Sequence, residues 1–243
     1  MLYGIDISGY QPGIDLSVVP CDFVGIYLSG GIYSGNAHAG EQIQSAVDSG
    51  KRIMAYHFEN DGTPGTVQQE SEWFLTMIDH YKDLLPANTL YALDNETGNA
   101  RNVAWQYQFC DTVRSRLGRP GVGMYGPFTN IKDGIYQPLR DNGFFIWESA
   151  YVLGDTRIDG YNVPGGRAPI PGGDPEFWQF TSTGYLPGWP GKLDLNVFLK
   201  GGAAEWDALA GATGTDASSV APIKELTDDE KFFSIELGIP LPI

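Results

Sequence analysis

The chain has 243 residues, with 30 Asp and Glu against 15 Lys and Arg, a formal net charge of −15. Its 42% hydrophobic and 13% aromatic content supports a sizeable packed core and excludes a disordered polyanion. The acidic excess and the lack of a Lys/Arg-rich run argue against nucleic-acid and anionic-membrane partners, and no apolar run approaches the roughly 18 residues of a membrane span.

Met1-Leu-Tyr-Gly-Ile-Asp6 lacks the basic-then-apolar layout of a secretory signal and leads directly into an expected strand at 3–7. Apolar, β-branched and aromatic runs predict further strands at 23–28, 52–58, 89–94, 121–125, 143–147, 176–180 and 192–195. Between them, 37–49, 66–81 and 100–117 carry apolar residues at three- and four-residue spacings, which predicts helices; Gly118, Pro120 and Gly121 stop the third. Room for a following helix exists after the first five strands only, because 154–191 is crowded with Gly and Pro and reads as loops around the last strands. The expected fold class is therefore α/β, an irregular TIM-like (β/α) barrel with eight strands and about five helices. An open doubly wound sheet is disfavoured, since Gly4-Ile-Asp-Ile-Ser-Gly-Tyr-Gln11 contains no GxGxxG phosphate loop.

The barrel is expected to occupy residues 1–210, followed by a small, polar linker at 211–222 and a tail at 223–243. Within the tail, Thr227-Asp-Asp-Glu230 has the form of a helix capping box ahead of Phe232, Phe233, Ile235 and Leu237. Both a short helix packed on the barrel and a docking segment for a partner or a separate wall-binding module are compatible with it. Cys21 and Cys110 read as reduced, buried residues, and His38, His57 and His80 do not fall at metal-ligand spacings, so neither metal nor cofactor is expected. Ser29 has glycines on one side only in Tyr27-Leu-Ser-Gly-Gly31, which gives a serine-hydrolase elbow little support.

In parallel barrels the chemistry lies at the C-terminal ends of the strands. Four carboxylates fall in otherwise apolar strand segments: Asp6 in the first, Asp94 and Glu96 at the end of the fourth, and Asp194 in the last. A charge there is costly unless it is used or paired. Residues two apart on a strand share a face with Cα atoms about 6.5–7 Å apart, so Asp94 and Glu96 can project into one cleft. Tyr91, Leu93 and Asn95 then face the helices, and Ala92 leaves space beneath the pair. Crowded carboxylates resist ionisation, so at least one is expected to keep its proton and serve as a general acid, the equipment of glycoside hydrolysis. Asp-x-Glu alone would equally suit a Ca²⁺ or Mg²⁺ site. Tyr56, Tyr125, Trp147 and Trp178 at other strand ends are candidate platforms for sugar faces.

With these motifs in place, residues 2–199 resemble the glycoside hydrolase family 25 muramidases, or Chalaropsis-type lysozymes, common as phage endolysins. The resemblance rests on Gly4-Ile-Asp-Ile-Ser-Gly-Tyr-Gln11, Asp22-Phe-Val-Gly-Ile-Tyr27, Ala55-Tyr-His-Phe58, Ala92-Leu-Asp-Asn-Glu96, Gly123-Met-Tyr125, Phe145-Ile-Trp147, Trp178-Gln-Phe-Thr181 and Leu193-Asp-Leu-Asn-Val-Phe198. It implies cleavage of the β-1,4 bond between N-acetylmuramic acid and N-acetylglucosamine, with bacterial peptidoglycan as partner. By position Glu96 matches the family's general acid, Asp94 the carboxylate near the reacting centre, and Asp6 and Asp194 the acidic pair at the cleft floor. Tyr56, Tyr125 and Trp147 match its groove lining. The lack of a leader suits a phage endolysin made in the host cytoplasm and released to the wall; a bacterial member would be secreted. Tyr27-Leu-Ser-Gly-Gly31 departs from the Lys-Ala-Thr-Glu-Gly-like stretch common in the family, and the 154–175 insertion is long. A chitinase-like glycosidase is the enzymatic rival, although Thr89 and Ala92 stand where its earlier aspartates would be. A barrel that binds carbohydrate or builds a virion without catalysis is the rival of another class.

Overall fold

The computed structural model describes residues 1–60, 62–96, 100–167 and 173–212. Eight strands close into a barrel: β1 (Leu2–Ile7), β2 (Phe23–Gly30), β4 (Arg52–Phe58), β5 (Leu90–Asp94), β6 (Val122–Pro127), β7 (Phe145–Ser149), β9 (Phe177–Tyr185) and β10 (Leu193–Phe198). Each overlaps one of the eight expected segments, with starts displaced by at most two residues. Pairing is parallel from β1 through β2, β4, β5, β6 and β7 to β9, then antiparallel from β9 to β10 and from β10 back to β1. Two-residue strands β3 (Ser34–Gly35) and β8 (Ile158–Asp159) hang on β2 and β9.

The described residues form six helices. Three are long: α1 (Ala39–Asp48), α2 (Val67–His80) and α3 (Val103–Leu117). Thr66 and Gln69 cap α2 reciprocally, Asn102 caps α3 through the Trp105 N–H, and α3 stops at Gly118 with φ +64°. The short helices are α4 (Phe128–Lys132), α5 (Gln137–Asp141) and α6 (Ala203–Leu209). The room after the first strand is not used for a helix. Residues 8–22 form turns, because Gly9, Pro12, Gly13 (φ +67°) and Pro20 interrupt every helical register there. Helices instead follow β2, β4, β5, β6 and β10.

Strand alternation separates two apolar layers. Inside the barrel, Phe23, Met54, Leu90, Phe145, Phe177 and Phe198 pack together, and Trp206 of α6 plugs the layer within 5.1–5.8 Å of Phe23, Phe177 and Phe198. Each such aromatic contributes about 2–3 kcal/mol by leaving water. Two glycines make the room: a Cβ on Gly4 would meet the Phe23 ring at 2.4 Å, and one on Gly123 would meet Phe145 at 2.3 Å. Outside, Val24, Ile26, Tyr91 and Leu93 meet the helical residues Phe74 and Phe109, so Tyr91 and Leu93 do face the helices. Cys21 and Cys110 are buried and free. Most of the linker and all of the tail, from residue 213 onward and including the Thr227–Glu230 motif, lie outside the described residues.

Candidate active site

The register of the barrel gathers the four acids at one mouth. Asp6 on β1 pairs directly with Asp194 on β10, while Asp94 ends β5 opposite Phe58 of β4 and Tyr125 of β6. Glu96 lies two residues past Asp94, beyond the strand and exposed at the rim. Together they line a cleft of about 460 Å³, walled by Tyr27, Tyr56, Phe58, Tyr125, Trp147 and Tyr151 and edged by Ser8 and Tyr10. Tyr10 is 89% exposed there. The sequence-predicted Tyr56, Tyr125 and Trp147 therefore stand in one wall, with Trp147 4.6 Å from Tyr125 and 5.8 Å from Tyr56 by ring centroids.

Trp178 does not join them. Along β9, Phe177 and Gln179 point into the barrel, which turns Trp178 outward. Its indole N–H donates to the Ala150 carbonyl at 2.9 Å, and Arg167 sits 5.1 Å from its ring centroid. As a cleft residue it is replaced by Gln179. The signal was present in the sequence, since a polar Gln inside Phe-Trp-Gln-Phe marks the inward phase more reliably than the larger aromatic beside it. Arg167 also ties the insertion down, bonding buried Glu148 at 2.5 Å and pairing with Asp174.

The carboxylates differ in environment. Asp94 is buried, its Oδ1 has no hydrogen-bond partner among the described residues, and burial followed by the charges of Glu96, Asp6, Asp194 and Glu59 pushes its pKa well above the ordinary range. Glu96 is also raised, first by desolvation against the cleft walls and then by Asp6. Burial, then Asp6 and Glu96, lift Asp194 to about 8. Asp6 rises only to about 6, because hydrogen bonds from Gln179 and Asn196 oppose its burial. No Lys, Arg or His is among the described residues lining the cleft.

Sequence reasoning missed the amides. Gln179 Nε2 and Asn196 Nδ2 donate to Asp6 Oδ2 at 2.8 and 2.6 Å, and Trp147 Nε1 donates to Asn196 Oδ1 at 2.7 Å. Tyr125 donates to Gln179 Oε1 at 2.8 Å, and Tyr151, on the loop after β7, donates to the same oxygen. A second polar chain lies behind the cleft: Ser29 Oγ and His57 Nδ1 are 2.9 Å apart, and His57 Nε2 is 3.2 Å from Glu70 Oε2. All three residues are fully buried against α2, and none lines the cleft.

A protein-family model described as "Glycosyl hydrolases family 25" matches residues 5–189, stopping short of Asp194 and Asn196. Among solved structures, the catalytic domain of endolysin ply40 from bacteriophage P40 of Listeria monocytogenes superposes with a TM-score of 0.64 at 20% identity, covering 87% of this chain and 98% of that one. The bacterial lysozyme from Streptomyces coelicolor gives 0.63 at 20% identity with the same coverage. The muramidase from Acremonium alcalophilum gives 0.58 at 21% identity, over 86% of this chain and 99% of that one. No curated protein matches the chain in sequence. With the family model spanning most of its length and the barrel shared with these enzymes, the chain belongs to glycosyl hydrolases family 25.

Proposed function

We propose that the protein is an N-acetylmuramidase that cleaves the β-1,4 bond between N-acetylmuramic acid and N-acetylglucosamine in bacterial peptidoglycan, with Glu96 as general acid. The carrying observation is the juxtaposition of a protonatable rim carboxyl, Glu96, with a buried, unbonded acceptor, Asp94 Oδ1, over an acidic floor. Family membership and the lysozymes and endolysins that share the fold add support.

In this reading Glu96 gives its proton to the departing glycosidic oxygen, and desolvation in the cleft, followed by the charge of Asp6, raises its pKa above the ordinary carboxyl value and so favours the protonated acid. Asp94 accepts the N–H of the muramic 2-acetamido group and directs its carbonyl oxygen onto the anomeric carbon. The bond to the leaving sugar breaks as the internal carbonyl oxygen bond forms. Water then opens the oxazolinium ring, with Glu96, now ionised, taking the water's proton, and configuration is retained. Tyr56, Tyr125 and Trp147 supply the wall against which sugar rings rest. A lytic role at the cell wall, as for the endolysins named among the structural relatives, follows from the same reading, and residues beyond 212 are the place for a wall-binding module or partner contact.

The test is mass spectrometry of murein digested by wild type and by Glu96→Gln. Reducing-end muramic acid is expected from wild type alone. Reducing-end glucosamine, or equal products from both proteins, would overturn the assignment. Inversion of the first-formed anomer would eliminate the substrate-assisted step while leaving the bond assignment intact.

A further inference from the structure

The cleft floor holds two acids in direct register, Asp6 and Asp194, with Asp94 and Glu96 facing them from the end of β5 and with Tyr56, Tyr125 and Tyr151 completing the titratable walls. With no cation among the described lining residues, this set cannot ionise throughout, and some arrangement must decide where a proton remains. The amides make the decision. An indole N–H is a donor only, so the Asn196 atom that Trp147 contacts at 2.7 Å must be the carbonyl oxygen. Its NH₂ then has to face Asp6 Oδ2, where it lies at 2.6 Å. Gln179 lies the same way round, with its Oε1 accepting from the Tyr125 and Tyr151 hydroxyls and its NH₂ 2.8 Å from the same Asp6 oxygen. An oxygen that accepts two amide donors is stabilised as part of a carboxylate. Asp194 receives no side-chain hydrogen bond of this kind among the described residues.

We infer that Asp6 and Asp194 act as a one-proton pair with a fixed direction: Asp6 is the standing anion of the cleft floor, Asp194 carries the proton, and Gln179 and Asn196, held by Tyr125, Tyr151 and Trp147, are the positioning residues that set this direction. Asp6 is thereby a permanent negative charge toward positive charge developing on a bound sugar, and Asp194 is an O–H donor in the same cleft. In agreement with this order, the two amide hydrogen bonds hold Asp6 to about 6 despite its burial, whereas Asp194, without them, reaches about 8.

The protonation order is independent of the muramidase reading; only its effect on turnover rests on that reading. Carboxyl ¹³C titration of Asp-labelled protein, with resonances assigned through Asp6→Asn and Asp194→Asn, is expected to show Asp6 ionising at lower pH than Asp194. Replacing the amides by near-isosteric apolar side chains, Asn196→Leu and Gln179→Met, should raise the Asp6 midpoint by about one unit each, tenfold in proton affinity, and bring the two midpoints together. Turnover on murein should fall roughly 10- to 100-fold, mostly in kcat, with the acidic limb of the pH–rate profile displaced to higher pH. Asp194 ionising at or below the Asp6 midpoint in wild type would overturn the inference without need of any variant. Midpoints unmoved in folded Asn196→Leu and Gln179→Met would overturn the positioning role. A protein with the expected titration order but no murein cleavage would remove the function proposed above and leave the proton assignment standing.

Discussion

Adjacent residues of β4 serve two polar clusters at the same end of the barrel. Tyr56 and Phe58 face the cleft with its four acids, whereas His57 faces α2 and joins Ser29 to Glu70. The second cluster has the residue types of a nucleophile, a base and an orienting acid, yet it is sealed. Glu70 accepts the Gly65 and Asn60 N–H groups as well as facing His57, so it pins the turn that follows β4. The acid cluster has an opening of about 460 Å³ and leaves Asp94 Oδ1 unbonded. What separates a site from a structural staple here is strand parity and one unfilled acceptor, not residue chemistry.

The largest test of that contrast is paired. Glu96→Gln should lower murein turnover by about 10²–10⁴-fold while shifting unfolding stability by less than about 1 kcal/mol. Glu70→Ala should do the reverse, costing about 3–5 kcal/mol in urea unfolding with turnover per folded molecule within twofold of wild type. Loss of turnover in folded Glu70→Ala would mean that the sealed chain feeds the cleft. A smaller contrast comes from the two tryptophans. Trp147→Phe removes the donor that orients Asn196 and should reduce kcat about tenfold, whereas Trp178→Phe should leave kcat unchanged and cost about 1 kcal/mol of stability.

The phase of a strand explains what the sequence made legible. The eight strands stand out because each is an apolar run bounded by turn residues, and Asp6, Asp94 and Asp194 stand out because ionisable groups interrupt those runs. Trp178 misleads because its size suggests a platform while the period of β9 turns it outward. Gln179 marks the inward phase of β9, but neither it nor Asn196 carries a charge that would tie it to Asp6 before the strands are brought together. Tyr151 lies past the end of β7, where no period constrains its direction. The two five-residue helices after β6 are too short for a periodic pattern to register.

The acids also carry a stability signature. Asp6 and Asp194 have folded pKa values, about 6 and about 8, above the ordinary carboxyl value, so the folded state binds more protons than the unfolded one between roughly pH 4 and 8. Their contribution therefore becomes more favourable as pH falls through that window. Melting temperature against pH should show Asp194→Asn gaining relative to wild type as pH rises from 5 to 8, and a constant offset would contradict the raised value. The smallest effect concerns the approach to the substrate. A chain of net charge −15 meeting an anionic wall should work a few-fold faster as salt rises from very low to moderate, and a monotonic fall in turbidity clearance would reverse that expectation.

The pairing of Asp6 with Asp194 joins the first strand to the last. A nascent chain that has emerged only as far as β7 already holds Asp6, Asp94 and Glu96, but it has neither the strand that closes the cylinder nor the amides that anchor Asp6. The cylinder therefore closes late in synthesis, only once β10 (Leu193–Phe198) has been joined. A chain stopped before that point would hold three of the four acids without the partner strand of Asp6.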